Sequence, residues 1–209
     1  AFPSQILCVT FTNKAAREMS ERVQKLVSQN MEKMPWMGTF HSIGAKIIRN
    51  HAEVIGLKQS FTILDKDDQL SLIKQIIKAE NLDQSQFSPK LIQSKIDHWK
   101  NKALNPNDIK SESLDNLVDE KSLSIYKIYQ ARLFEINCLD FGDLLLQCIN
   151  LFKVPDIHKR YSNNFKYIHV DEYQDTNAAQ YKWLKLLGSH HQNVCCVGDD
   201  DQSIYSWRG

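Results

Sequence analysis

Two short apolar segments near the end of the chain each run directly into polar residues, and this pattern constrains the fold most. Residues 167–170 (YIHV) precede DEYQD at 171–175, and residues 194–197 (VCCV) precede GDDDQSIYSWRG at 198–209. A helical pattern at 177–187 connects them. Strands joined through a helix pair in parallel, and open α/β sheets place ligands at the carboxyl ends of their strands. The pattern therefore predicts an α/β fold with a functional site at that edge.

The first part of the chain predicts the same architecture. Residues 5–11 indicate a buried strand, and Thr12 is a suitable N-cap for a helix over 13–27. A second short strand is predicted at 36–40 and a second helix at 42–54. Because strands alternate with helices, both ends of the chain are predicted to build one parallel sheet.

The middle of the chain is dominated by helical patterns. They occupy three segments: 66–80, 89–102 and 122–136. We interpret residues 57–138 as a separate all-helical domain inserted into an α/β domain, which consists of residues 1–56 and 139–209. The α/β domain resumes with a further predicted helix at 140–151.

Composition leaves the function open. Lysine and arginine number 26 against 25 acidic residues, a balance that does not by itself indicate nucleic acid, because DNA-binding domains are usually more basic. No apolar run approaches the roughly 20 residues needed to span a bilayer. We therefore expect a cytoplasmic protein without a membrane partner.

The cysteines are predicted to be reduced and buried. None stands in a C-x-x-C pair, and Cys195 and Cys196 are neighbours in a predicted strand, where side chains alternate between faces. These two are therefore poor ligands for one metal ion and poor partners for one disulfide.

Asp171 and Glu172 form an acidic pair at the end of a predicted strand. One carboxylate can hold hydrated Mg²⁺ while its neighbour polarises a water molecule, so the pair suits a nucleotide site. Taken alone, the pair is explained as simply by a helix N-terminus, where the dipole stabilises carboxylates. The surrounding motifs favour the nucleotide site.

Four segments carry a family resemblance. They are TFTNKAA at 10–16, GTFHS at 38–42, DEYQD at 171–175 and QSIYSWRG at 202–209. In this order they resemble motifs Ia, Ib, II and III of superfamily 1 DNA helicases of the UvrD/PcrA/Rep type, and the resemblance covers essentially the whole chain. It implies a partial P-loop (RecA-like) parallel sheet, motor domain 1A, with residues 57–138 as the helical subdomain 1B.

The resemblance also assigns roles at the polar strand ends. Asp171 would hold the Mg²⁺ of a bound ATP, Glu172 would activate the attacking water, and Gln202 would sense the γ-phosphate. These three side chains would form the catalytic set of the parent helicase.

A second set of residues would contact DNA in such a helicase. Aromatic rings stack on bases of single-stranded DNA, hydroxyl and amide groups contact phosphates, and arginine adds charge. The candidates are Phe11, Asn13, Thr39, His41, Ser42, Tyr205, Trp207 and Arg208. The implied partners are single-stranded DNA and DNA junctions, with repair proteins as further candidates.

The phosphate loop G-x-x-x-x-G-K-[ST] is not found in these 209 residues. The resemblance implies that a second motor domain, with its arginine finger, would follow motif III. We therefore expect an internal piece of a helicase that translocates 3′ to 5′ on single-stranded DNA in repair and replication, with an incomplete ATP site and no ATPase activity of its own. In the family's sheet, the strand before motif III lies beside the strand that feeds the phosphate loop. Residues 194–197 would therefore form an exposed edge here.

Two other interpretations stay open. The first is a non-catalytic fragment that binds single-stranded DNA, and a phosphate-loop sequence in the upstream gene would argue against it. The second is part of a nuclease-helicase of the RecB/AddA kind, which large insertions and a fused nuclease would mark.

Two details of the middle region depart from a simple pattern. The segment LDFGDLL at 139–145 resembles a further helicase signature in which aspartate usually stands in place of Gly142, and glycine costs about 1 kcal/mol of helix propensity relative to alanine. In the predicted helical insertion, lysines outnumber the acidic residues near them, which indicates either a solvated face or a weak patch that contacts duplex DNA. These lysines are Lys90, Lys95, Lys100, Lys102 and Lys110.

Overall fold

The computed structural model describes residues 1–26, 34–110, 112, 114, 116–199 and 201. Its strands are β1 (Ile6–Thr10), β2 (Met37–Thr39), β3 (Thr62–Leu64), β4 (Cys138–Asp140), β5 (Tyr167–Val170) and β6 (Val194–Cys196). Its α-helices are α1 (Asn13–Leu26), α2 (Phe40–Asn50), α3 (Lys66–Ala79), α4 (Pro89–Asn101), α5 (Leu117–Glu135), α6 (Phe141–Leu151), α7 (Pro155–Asn164) and α8 (Ala178–Leu187). None of these described helices is both long and apolar enough to cross a membrane.

Four strands form one parallel sheet in the order β2-β1-β5-β6. Cys8 of β1 is in register with Met37 of β2 and with His169 of β5. On the next strand, Cys195 of β6 is in register with His169. The predicted parallel sheet is confirmed, and the carboxyl ends of its four strands meet at one edge.

Side-chain caps start two helices directly behind their strands. Thr12 Oγ1 accepts a hydrogen bond from Ala15 N–H at 3.1 Å, which confirms the predicted cap of α1. Thr39 Oγ1 accepts from Ser42 N–H at 3.2 Å, so α2 begins at Phe40 and not at the predicted residue 42. Both helix N-termini therefore lie at the carboxyl edge of the sheet.

The helix predicted at 42–54 is divided in the structure. Helix α2 ends at Asn50, and a separate 3-10 helix follows at Ala52–Ile55. Gly56 then takes a φ of 78°, in the left-handed region that glycine enters without steric cost. The predicted stop near Gly56 is confirmed by this turn.

The core consists of two clusters of buried side chains. The larger cluster buries one face of β1 and β5 together with residues of α2, α6 and α8. Its members include Leu7, Val9, Phe40, Ile168, Val170 and Trp183. The smaller cluster draws on α3, α4 and α5, and all its buried members lie within residues 73–138. Each cluster thus takes its side chains from a different set of helices.

Three elements were not predicted from the sequence. Strands β3 and β4 pair in parallel as a separate two-stranded sheet, with Ile63 opposite Leu139. Each has three residues, which is too short for an alternating pattern to be recognised. Helix α7 is largely polar and buries only Ile157, Tyr161 and Ser162, so its apolar stripe is weak.

The prediction that the cysteines are buried is wrong for two of them. Cys8, Cys138 and Cys148 are buried, but Cys195 and Cys196 are exposed. Both exposed residues lie in β6, the last strand in the order of the sheet, where no described strand pairs with the outer edge. Burial raises the pKa of the Cys8 thiol to about 11, so that cysteine stays protonated at neutral pH.

We expect strand β6 to make the chain prone to self-association. All three of its residues are exposed, and Val197 beside it is 59% exposed, so an apolar edge presents backbone groups that can pair with another chain. We expect light scattering under reducing conditions to show mass increasing with protein concentration. A Cys195→Lys variant should reduce the effect, because a charged edge opposes strand pairing. A monodisperse wild-type monomer at high concentration would contradict this prediction.

Candidate nucleotide and nucleic-acid site

The predicted acidic pair stands at the carboxyl end of β5. Asp171 N–H continues the ladder by donating to the Val9 carbonyl at 3.0 Å, and Asp171 Oδ1 accepts from Glu172 N–H at 3.1 Å. Glu172 has a φ of 56°, in the left-handed region. A non-glycine residue held there costs roughly 1–3 kcal/mol and is typical of functional sites. The backbone thus turns sharply at the second carboxylate of the pair.

Gln174 joins the ends of β5 and β6, a role that the sequence analysis did not give it. Its Nε2 donates to Glu172 Oε2 at 2.6 Å, and its Oε1 accepts from Asp199 N–H at 3.1 Å. Tyr173 N–H donates to the Val197 carbonyl at 2.9 Å, which draws the same two loops together. The two polar strand ends therefore meet, as the sequence predicted.

Thr10 is a further polar residue at this edge that the sequence analysis did not select. Val9 lies opposite Val170 in the register of β1 and β5, so Thr10 lies opposite Asp171 and shares its face of the sheet. The Thr10 side chain is fully buried, and its hydroxyl has no hydrogen-bond partner among the described residues. An orphaned hydroxyl beside a carboxylate can hold a water molecule.

Asp171 and Thr10 fit a hydrated magnesium ion. Mg²⁺ usually keeps several waters and binds through one or two carboxylates together with phosphate oxygens, without an all-protein cage. The described part of the chain holds no group of three or more histidine, cysteine, aspartate or glutamate side chains able to bind a metal. Asp171 would be the direct ligand and Thr10 would hold a water of the ion's shell.

Five of the predicted DNA-contacting residues line one cleft of about 410 Å³ at the same edge. They are Phe11, Asn13, Thr39, His41 and Ser42. The hydroxyl groups of Thr39 and Ser42 already form hydrogen bonds within the first turn of α2. Thr39 Oγ1 accepts from Ser42 N–H, and Ser42 Oγ donates to the Thr39 carbonyl at 2.9 Å. A phosphate contact from Ser42 would have to replace that bond. The predicted residues Gln202, Tyr205, Trp207 and Arg208 lie outside the described residues.

Phe141 is an aromatic wall residue that the sequence analysis missed. It is the first residue of α6, it is 47% exposed, and its ring lies edge-on to His41 with centroids 5.9 Å apart. With Phe11 and His41 it also lines a second cleft of about 490 Å³, whose opposite wall is α4. Three aromatic rings thus border two adjoining clefts. The signal in the sequence that could have found it is its place in the LDFGDLL segment at 139–145.

A buried ion group lies beneath this aromatic wall. Lys100 Nζ is 2.7 Å from Asp140 Oδ2 and 2.9 Å from Asp143 Oδ1, and all three side chains are at least 97% buried. Tyr129 Oη donates to Asp140 Oδ2 at 2.9 Å, and Gln130 Nε2 donates to Asp143 Oδ1 at 3.0 Å. The prediction of a solvated lysine face is therefore wrong for Lys100.

The two carboxylates of the ion group titrate differently. Burial and the neighbouring Asp140 raise the pKa of Asp143 to about 6. Burial also acts to raise the pKa of Asp140, but the Lys100 ammonium outweighs it and holds that pKa below its ordinary value. Lys100 stays charged because the two carboxylates overcome the effect of burial and raise its pKa. The pair of Lys100 and Asp140 thus stays ionised, whereas the carboxyl of Asp143 is protonated more easily.

Gly142 makes room for the lysine. A Cβ placed on Gly142 would lie 2.8 Å from Lys100 Cδ and 2.9 Å from Lys100 Cβ, which is closer than side-chain carbons approach. The glycine therefore allows the lysine stem to lie directly on the first turn of α6.

The sheet with its acidic strand end and aromatic cleft defines a RecA-like α/β domain of the helicase type. The family model for the UvrD/REP helicase N-terminal domain matches residues 1–209, and the chain belongs to that family. It is similar to the ATP-dependent DNA helicase PcrA of Staphylococcus aureus, with 49% identity over 208 residues, covering 99% of this chain and 28% of that protein. PcrA of Staphylococcus epidermidis is 47% identical over 208 residues, with the same coverage of both chains. The chain therefore spans less than a third of the length of these relatives.

Substituting Gly142 with alanine should destabilise the chain by about 1–3 kcal/mol, because the new methyl group overpacks against Lys100. Helix propensity returns at most about 1 kcal/mol of that cost, so the net destabilisation should be up to about 2 kcal/mol. Urea unfolding measures the change. Ser124→Ala, at an exposed position of α5, is the control for helix propensity alone. A Gly142→Ala variant that is more stable than the wild type would show that the stem does not press on this turn.

Proposed function

We propose that this chain is part of the ATP-driven motor of a DNA helicase that moves 3′ to 5′ along single-stranded DNA in repair and replication. One observation carries the proposal. The acidic strand end and the aromatic cleft lie at the same edge of one sheet, at the carboxyl ends of the adjacent strands β5 and β1. Nucleotide and DNA would therefore bind to neighbouring strand ends. A cytoplasmic location is part of the proposal, because the PcrA relatives come from bacteria, in which the DNA lies in the cytoplasm.

The nucleotide half of the proposal uses ATP and Mg²⁺. Asp171 would hold the ion, which supplies positive charge against the phosphate oxygens when it is bound. Glu172 would take the proton of the attacking water, and the Gln174 amide would keep its carboxylate in place through the 2.6 Å hydrogen bond. Gln202 would report the γ-phosphate.

The DNA half of the proposal uses stacking. Phe11, His41 and Phe141 would stack on bases, and Asn13 would contact a phosphate through its amide. Tyr205, Trp207 and Arg208 would extend the track. Single-stranded DNA and DNA junctions are the proposed partners, with repair proteins as further candidates.

Residues 1–56 and 139–209 would form motor domain 1A, and residues 57–138 would form subdomain 1B. The smaller cluster supports this division, because all its buried members come from residues 73–138. The larger cluster crosses the boundary, since it also includes Leu57, Phe61 and Ala103.

The 209-residue chain should not release phosphate from ATP, with or without single-stranded DNA. The acidic pair is present, but the sequence holds no phosphate loop to cradle the β- and γ-phosphates. A phosphate-release assay measures this, with Glu172→Gln as the control variant. DNA-stimulated turnover that disappears in Glu172→Gln would refute the prediction.

The same chain should bind single-stranded DNA weakly, with little sequence preference and strong sensitivity to salt. Fluorescence anisotropy with labelled oligonucleotides measures binding. Stacking contributes roughly 1–3 kcal/mol per base, so Phe11→Ala, Phe141→Ala, Tyr205→Ala and Trp207→Ala should each weaken binding about fivefold or more.

Phe2→Ala is the matched control, because Phe2 is 73% exposed and lies before β1, at the opposite edge of the sheet. Equal affinities of the control and the four cleft and motif III variants would contradict the stacking role.

A further inference from the structure

Lys100 carries a buried charge that the proposed function does not use. It lies in the last turn of α4, and its side chain is 0% exposed. Its ammonium lies between Asp140 and Asp143, the two residues whose side chains start α6. A charge so completely removed from solvent does not contact DNA itself, so any effect on binding has to act through its neighbours.

The ammonium holds both halves of the capping box of α6. Asp140 Oδ1 accepts from Asp143 N–H at 2.9 Å, and Asp143 Oδ2 accepts from Asp140 N–H at 3.2 Å. In each carboxylate the other oxygen faces Lys100. Tyr129 and Gln69 also donate to Asp140, and Gln130 donates to Asp143, but among the described side chains only Lys100 contacts both carboxylates. The cation therefore helps to set how both carboxylates are turned, and with them the backbone of the first helical turn.

Phe141 lies inside that turn, directly after Asp140. Nearly half of the Phe141 side chain is exposed, and its ring packs edge-on against His41. Because nearly half of its surface is unpacked, the position of the ring depends largely on the backbone that carries it. Whatever fixes the turn therefore also fixes the ring.

The same lysine sets the distance between the two walls of the second cleft. Its stem lies against Gly142, so α4 approaches the first turn of α6 at close range. Asp97, His98 and Asn101 of α4 line the cleft opposite Phe141. We infer that Lys100 is a positioning residue of the DNA cleft: it fixes the ring of Phe141 and the gap between that ring and α4. This inference rests on the proposed function in one respect, that Phe141 stacks on a base.

The test uses the full 209-residue chain and a fluorescein-labelled oligothymidylate. Lys100→Met keeps the length of the stem and removes the charge, but it leaves two buried carboxylates without a cation. The double variant Lys100→Met/Asp143→Asn removes one positive and one negative charge, and it is the main test variant. Asp143→Asn alone is its reference. The matched control is Lys95→Met, the same change on the same helix at a partly exposed lysine paired with Asp119.

The double variant should bind the oligonucleotide about five- to tenfold more weakly than its reference, while Lys95→Met changes affinity less than twofold. Adding Phe141→Ala to the double variant should cause no further loss, because both changes remove the same stacking contact. The slope of affinity against salt should stay that of the wild type, since a buried lysine releases no counterion.

Several outcomes would overturn the inference. Wild-type affinity in the double variant, together with weak binding by Phe141→Ala, would reject it and leave the stacking role intact. Losses that add when Phe141→Ala is combined with the double variant would reject it too, because the lysine would then act elsewhere. Loss of the native near-ultraviolet circular dichroism in the double variant would show that the ion group is needed for folding and not for placing one ring. Wild-type affinity in Phe141→Ala, or no binding by the wild-type chain, would reject the proposed function and this inference together.

Discussion

Asp140 receives a hydrogen bond from each of the three helices of the central region. Gln69 of α3 donates at 3.4 Å, Lys100 of α4 at 2.7 Å and Tyr129 of α5 at 2.9 Å, all to the same carboxylate oxygen. The other oxygen caps α6, which belongs to the larger core. One side chain therefore joins the two clusters of buried residues. Together with the hydrogen bonds Asn101–Asn177 and Asn105–Asn150, it holds the helical region against the sheet beside the cleft.

Such an arrangement gives specificity more than stability. Taking charges out of water costs several kcal/mol per ion, and an apolar replacement of similar volume is often as stable. Removing one partner is costly, however, because it leaves a buried charge without compensation. Two carboxylates share one ammonium here, and the remaining negative charge is met by neutral donors and by the raised pKa of Asp143. Few alternative packings of these helices would satisfy the same groups.

The sequence predicted those parts of the fold whose signals are local. The signals for strands β1 and β5, the cap at Thr12 and the turn at Gly56 each lie in residues that are neighbours in the chain, and all four features were confirmed. Lys100 was misinterpreted because its partners lie forty residues away, and nothing near it distinguishes a buried lysine from a solvated one. The position of β6 at the edge of the described sheet was predicted, but the exposure of Cys195 was not, because an apolar segment does not reveal that both faces of its strand are uncovered.

The candidate site likewise has parts that the sequence predicted and parts that it did not. The acidic pair was recognised from its motif, whereas Gln174 and Phe141 emerged only when separate loops were brought together. The assigned roles of Asp171, Glu172 and the cleft residues remain proposals that rest on this geometry and on the family. Motif III from residue 202 onward lies outside the described residues, so the roles predicted for it remain predictions.

The contact between Gly142 and Lys100 has a consequence for how relatives of this chain vary. A side chain at position 142 and a long stem at position 100 would occupy the same space. A relative with aspartate at 142 must therefore carry a shorter or differently turned residue at 100, or separate the two helices. Across an alignment the two positions should change as a pair, although they belong to different helices and lie far apart in the chain.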